Sequence, residues 1–205
     1  MHKASKGLLA AFAVVLLLSL GAGTAAASRG LEASVATGEL GRIRADSRAL
    51  TFTDTEGAAS IICEVLRTIR LNRTISKVRD SAAGSVTGVE IRNCRGGSVR
   101  VLGLPWSITY QSFTGTLPSE VRSVRLRIIN AQFLISAFFG IAECLYAGNA
   151  EGTSGGALNT VSEIRADETV TQNLFSETLS SATCPARGLF RGTLVVSPAV
   201  RLRLI

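Results

Sequence analysis

LPWSITYQSFTGTLP, residues Leu104 to Pro118, carries the only tryptophan of the chain and one of its two tyrosines. Trp106, Ile108 and Tyr110 alternate there with Ser107, Thr109 and Gln111. A strand sends successive side chains to opposite faces, so the three large apolar groups share one face. Pro105 can open such a strand, and Gly115 and Pro118 punctuate its exit. Two uses of that face compete. Trp106 and Tyr110 form either a flat platform for a sugar ring or another apolar ligand, or part of a core in which aromatic side chains bury large areas. A period-2 apolar face is first of all a core signal, so the core is the expectation.

The same alternation recurs on both sides. Val124, Leu126 and Ile128 oppose Arg125 and Arg127; Val200, Leu202 and Leu204 oppose Arg201 and Arg203; Val89 and Ile91 oppose Glu90 and Arg92. Each reads as a half-buried strand. Ser60 to Ile69 is a further strand, with shorter ones at Gly41–Ala45, Ala49–Thr53 and Gly188–Val196. Ala131 to Ala142 is almost wholly apolar and too short to span a membrane as a helix, which takes about 20 residues; it reads as buried strands around a bend at Gly140. Asp54–Gly57 and Cys94–Gly97 read as turns. Asn72-Arg73-Thr74 is a glycosylation sequon, read as a surface loop. Gly148 to Gly156 (GNAEGTSGG) lacks the Lys-Ser/Thr ending of a phosphate loop and is expected to be a long surface connection. Glu163, Asp167 and Glu168 lack the acidic ladder of a calcium loop and are expected to be solvated loop charges. The fold class is therefore all-β: a sandwich-like or partly closed barrel of about ten to twelve strands, preceded by a signal-peptide helix.

The leader is read from Lys3 and Lys6, the apolar run Leu8–Leu20, and Ala25-Ala26-Ala27 before Ser28. This is the pattern of a secretory signal with cleavage after Ala27. It leaves 28–205, about 178 residues, as a single β-rich domain with a core of its own. Of 22 basic and 15 acidic residues, the two leader lysines are lost, leaving 20 against 15. His2, the only histidine, leaves as well. Without an imidazole the domain can hold neither a Ser-His-Asp triad nor a Cys-His dyad, and the common catalytic zinc sites lose a ligand. No metal or cofactor is expected.

Cys63, Cys94, Cys144 and Cys184 are an even set in an exported chain and read as two disulfides. Of three pairings, Cys63–Cys94 with Cys144–Cys184 is favoured, closing one loop on either side of the Trp106 stretch.

In the blocks CEVLRTIRLNRTISK, LPWSITYQSFTGTLP and FLI…CLY, the chain resembles a group of secreted, cysteine-containing β-rich proteins of high-GC actinobacteria, from about Ile61 to the C-terminus. The resemblance implies export and a β-rich body. The group has no assigned activity, so it supplies no catalytic residue.

The functional expectation is a non-catalytic exported protein, secreted or at the cell surface, acting as a structural or binding domain of the envelope. Its ligand contacts would be the Trp106 and Tyr110 platform, or Arg125, Arg127, Arg201 and Arg203 against an anionic cell-wall polymer or envelope surface. Nucleic acid is not an expected partner, and a membrane is one only through a retained leader. Against insertion as a membrane barrel stand the disulfides and the short, irregular strands, which suit a soluble domain. The alternative is an extracellular enzyme using carboxylates alone, such as a glycoside hydrolase, with Glu64, Glu90, Glu120 and Glu143 as candidates.

Overall fold

The computed structural model describes residues 30–36, 40–54, 60–116, 120–137, 142–172, 184 and 187–205. The expected leader, the turn at 55–57 and the bend at Gly140 lie outside them. The described residues form eleven strands and no helix: β1 (Gly30–Val35), β2 (Ile43–Asp54), β3 (Ser60–Leu71), β4 (Thr74–Ser76), β5 (Ala82–Arg95), β6 (Gly97–Leu102), β7 (Trp106–Thr114), β8 (Ser123–Ala137), β9 (Ala142–Gly155), β10 (Thr160–Gln172) and β11 (Arg187–Leu204). All pairings are antiparallel. Their order is β10-β9-β8-β7-β5-β3-β2-β11, and β11 pairs back onto β10, so eight strands close into a barrel. Three stand outside the ring: β6 beside β8, β1 beside β11, and β4 beside β1.

Two strands exceed the lengths read from sequence, because each changes partner along its course. β8 pairs β7 along Ser123–Ile129 and β6 along Gln132–Ala137. Asn130, at φ 53°, sits at the change, and its N–H donates to Asn149 Oδ1 at 3.1 Å. β11 pairs β2 along Gly188–Ser197 and β1 along Val200–Leu204. Pro198, which has no N–H to donate, lies in the gap between the two partners. What reads as a strand break is in both cases a handover within one strand. β2 likewise joins two expected strands across a register shift between Ser47 and Leu50.

Two expected loops are strands. Gly148–Gly156 belongs to β9 up to Gly155, and the stretch bearing Glu163, Asp167 and Glu168 is β10. The glycines give β10 room: a Cβ on Gly152 would stand 2.9 Å from Ile164 Cγ2, and one on Gly155 2.6 Å from Glu163 Oε1. Thr74, in the sequon, opens β4. In the Cys94–Gly97 stretch, Cys94 and Arg95 end β5, leaving Gly96 (φ 88°) alone as the turn.

The disulfides join Cys63 to Cys94 and Cys144 to Cys184. Both lie toward the end of the barrel where β3 and β9 begin; β1 and β4 lie at the other end. The interior divides the same way. The disulfide half is filled by rings: Phe190 packs on Phe52 and on Phe133, each at 4.4 Å between centroids, with Tyr146 against Phe52 and Trp106 against Phe133. Edge-on and tilted contacts of this kind add to the burial of the rings. The other half is lined mainly by aliphatic side chains.

Phe190 is 2% exposed, so Phe190→Ala should lower stability by about 3–5 kcal/mol, read as a fall in the guanidinium midpoint of the oxidised protein. Replacing either cysteine pair by serine should cost about 3–4 kcal/mol on the same assay, because each closes a loop of tens of residues. A loss under about 1 kcal/mol from either pair would contradict the pairing.

Candidate functional site

The inward phase of β3 runs Ile61, Cys63, Val65, Arg67, Ile69, all buried. An arginine therefore occupies the middle of an apolar row. In the register it stands between Ala45 on β2 and Val89 on β5, and Val196 on β11 is opposite Ala45. Ala45 is small, so space is left beside the guanidinium. Arg67 is 5% exposed, and no described residue offers its side chain a hydrogen bond or an ion pair.

Arg67 borders a cavity of about 70 Å³ in the aliphatic half of the barrel. The lining is aliphatic apart from Arg67, Ser154 and Gly152; Val196, Leu194, Ile164 and Val124 make part of its wall. Leu31 of β1 and Ile75 of β4 also contribute, so strands outside the closed ring form part of that wall. Ser154 Oγ accepts a hydrogen bond from the Val124 N–H at 2.7 Å, which leaves its own proton free to be donated. On its other side Arg67 touches a second space of about 10 Å³ among Phe52, Phe133 and Phe190. The guanidinium thus sits where the aliphatic and aromatic halves meet.

The electrostatics are one-sided. A guanidinium is a cation that presents five N–H donors in a planar fork. Taking an unpaired charge out of water costs several kcal/mol even after relaxation. An anion entering the cavity would remove that cost; an uncharged occupant would not.

The residues singled out from sequence fall elsewhere. Trp106 and Tyr110 are 2% and 3% exposed. Their face packs inward, and no exposed stacking platform forms. Trp106 Nε1 donates to the Leu102 carbonyl at 2.9 Å. Arg125 and Arg127 lie on the outer wall and share Glu151: Arg127 Nε donates to Glu151 Oε1 at 2.8 Å, Arg125 Nε is 3.4 Å from Oε2, and Arg127 also lies 3.4 Å from Asp80. Arg203 Nε donates to Glu32 Oε2 at 3.2 Å. Arg201 borders an outer hollow of about 580 Å³ with Asn159 and Thr160. Among the acids, Glu64 accepts from Asn93, Glu90 pairs with Arg92, and Glu143 accepts from Ser136; none of the four carboxylate candidates, Glu120 included, lines the cavity. Glu163 pairs with Arg165 on the outer face.

Sequence reasoning missed Arg67. Its signal was available, because Ile61, Cys63, Val65 and Ile69 set a phase that Arg67 shares. Comparison with protein-family models, curated proteins and solved structures finds no match.

Burial raises the pKa of the Tyr110 phenol above its ordinary 10.0. Above pH 10 the unfolded chain therefore loses this proton while the folded one keeps it, and stability falls as pH rises toward the folded value. Tyr110→Phe should remove that part of the alkaline decline, seen as a flatter curve of denaturant midpoint against pH between 9.5 and 11.5. Superimposable curves for the two proteins would refute it.

Proposed function

We propose that this chain is a non-catalytic exported binding protein whose barrel holds one small, mostly apolar molecule in its interior. The observation that carries the reading is the cavity of about 70 Å³ bordered by aliphatic side chains and a single charged group. An eight-stranded barrel encloses a space just wide enough to be filled by its own side chains or to hold one small ligand. Here the aromatic half follows the first course and the aliphatic half the second. Export is supported by the leader pattern and by two disulfides, which suit an oxidising compartment outside the cytoplasm.

A polymer-binding outer surface is less well supported. Arg125, Arg127 and Arg203 already meet Glu151, Asp80 and Glu32, so an anionic chain would have to displace those carboxylates. A lipid-facing barrel needs an apolar outer band. Here Arg125 and Arg127 point outward while Val124, Leu126 and Ile128 border the lumen.

Xenon is a suitable first probe, since dry apolar cavities admit it. With the leader-free protein labelled at methyl carbons, xenon should shift the Leu194, Val196 and Ile164 signals saturably and leave outward-facing Val195 unmoved. Val196→Phe, which puts a ring into the cavity, should abolish the shifts. Unmoved cavity methyls under xenon pressure in a folded protein would overturn the reading.

A further inference from the structure

The binding-barrel reading leaves open what the occupant is, and Arg67 narrows it. We propose that the cavity takes a small organic monoanion, a carboxylate with a short alkyl body, whose head pairs with Arg67 and whose body lies among Val196, Leu194 and Ile164. This rests on the reading above and adds the charge, the head group and the size.

The charge follows from the guanidinium. Arg67 is 5% exposed as a residue, and its guanidinium has no partner among the described residues. One positive charge calls for one negative charge; a dianion such as sulfate or hydrogen phosphate would bring a second into an apolar lumen with nothing to balance it. The head group follows from shape. The planar fork of arginine matches the two oxygens of a carboxylate in a bidentate pair. Ser154, the other polar side chain on the wall, has a hydroxyl proton to donate.

The body follows from the lining and the volume. Beyond Arg67 and Ser154 the wall offers only aliphatic groups and Gly152. It can replace the hydration of a hydrocarbon but not that of a bare inorganic ion. A cavity of about 70 Å³ is about half of the 150 Å³ known to hold benzene, a ring of six heavy atoms. On that scale it admits about three or four heavy atoms, a carboxylate carrying one methyl, and excludes a longer alkyl chain. Ala45, 0% exposed and opposite Arg67 in the register, keeps the space next to the guanidinium open.

The test compares sodium acetate, ethanol, sodium chloride and sodium octanoate at constant ionic strength, by methyl NMR titration and thermal unfolding of the oxidised protein. Acetate should saturate the Leu194, Val196 and Ile164 shifts and raise the unfolding temperature. Ethanol should bind at least tenfold more weakly, and chloride and octanoate should do neither. Arg67→Met should reverse the preference between acetate and ethanol and, with no ligand, be at least as stable as the parent. Arg67→Lys should weaken acetate binding, because an ammonium cannot make the planar pair. Should Arg67→Met fail to fold, Arg67→Lys and the ligand comparison on the parent still decide the matter.

Equal binding of acetate and ethanol, or the same acetate affinity in the parent and Arg67→Met, would overturn the proposal while leaving the binding barrel intact. So would chloride acting as well as acetate, which would assign the charge to an inorganic ion. If Arg67→Met is less stable than the parent and acetate moves neither, the guanidinium is held by the protein itself and the proposal falls. If xenon and ethanol also leave the cavity methyls unmoved, the binding-barrel reading falls with it.

Discussion

The ladder between β10 and β11 closes the sheet, and what the molecule contains follows from that closure. Once eight strands form a ring, every second side chain of each strand points into one enclosed volume. Closure pairs most of the ring-strand edges, so the hazard of strand addition falls on β1, β4 and β6 outside the ring and on β5 beyond Val86, where its ladder with β7 ends. The two ends of the lumen then differ only in what the inward phases supply. Phe52, Phe133, Tyr146 and Phe190 fill one end. Ala45, Gly152 and Ser154 leave the other short of atoms, and there the cavity lies.

The local alternation was legible in the sequence, and with it the strand content. Val124-Leu126-Ile128 and Val200-Leu202-Leu204 each present their inward phase as read, and so does the Trp106-Ile108-Tyr110 face. The cysteine pairing was legible too, since the four residues divide the chain on either side of that face. Strand ends and glycine content misled. Asn130 and Pro198 have the composition of breaks, yet each sits where one strand passes from one partner to another. That role exists only in a sheet with strands outside its ring. Gly152 and Gly155 resemble loop residues because the reason for them, the side chains of Ile164 and Glu163 on the next strand, is not local. The closing contact joins β10 to β11 and is a matter of register, which composition does not carry.

The candidate site was illegible for a different reason. Charged residues are sought on the outward phase, and this chain has many there. Arg125, Arg127, Arg165 and Arg203 stand on the outer wall in contact with water and with carboxylates. Exposed pairs of that kind contribute about 0–1 kcal/mol each. Among the described residues, one arginine sits on the other phase. Arg67 differs from them in neither type nor neighbours in sequence, Leu66 and Thr68, but only in parity within β3. Parity becomes an environment only after the barrel closes.

That displacement to the inner phase runs against stability. A buried charge can often be replaced by a well-packed apolar side chain with no loss, or with a gain. The fold alone therefore gives no reason for a guanidinium between Ala45 and Val89, where a methionine or leucine would complete the row. Nor does closure of the barrel depend on it: the backbone ladder and the aromatic half hold without any contact from this side chain. The two disulfides, each contributing about 3–4 kcal/mol in the chain-entropy model, are of the same order as the cost of the unpaired charge. Cross-linked toward one end, the barrel can carry a destabilising residue deeper in its lumen. A residue that opposes the fold, in a space the fold leaves open, is what the proposed anionic ligand accounts for.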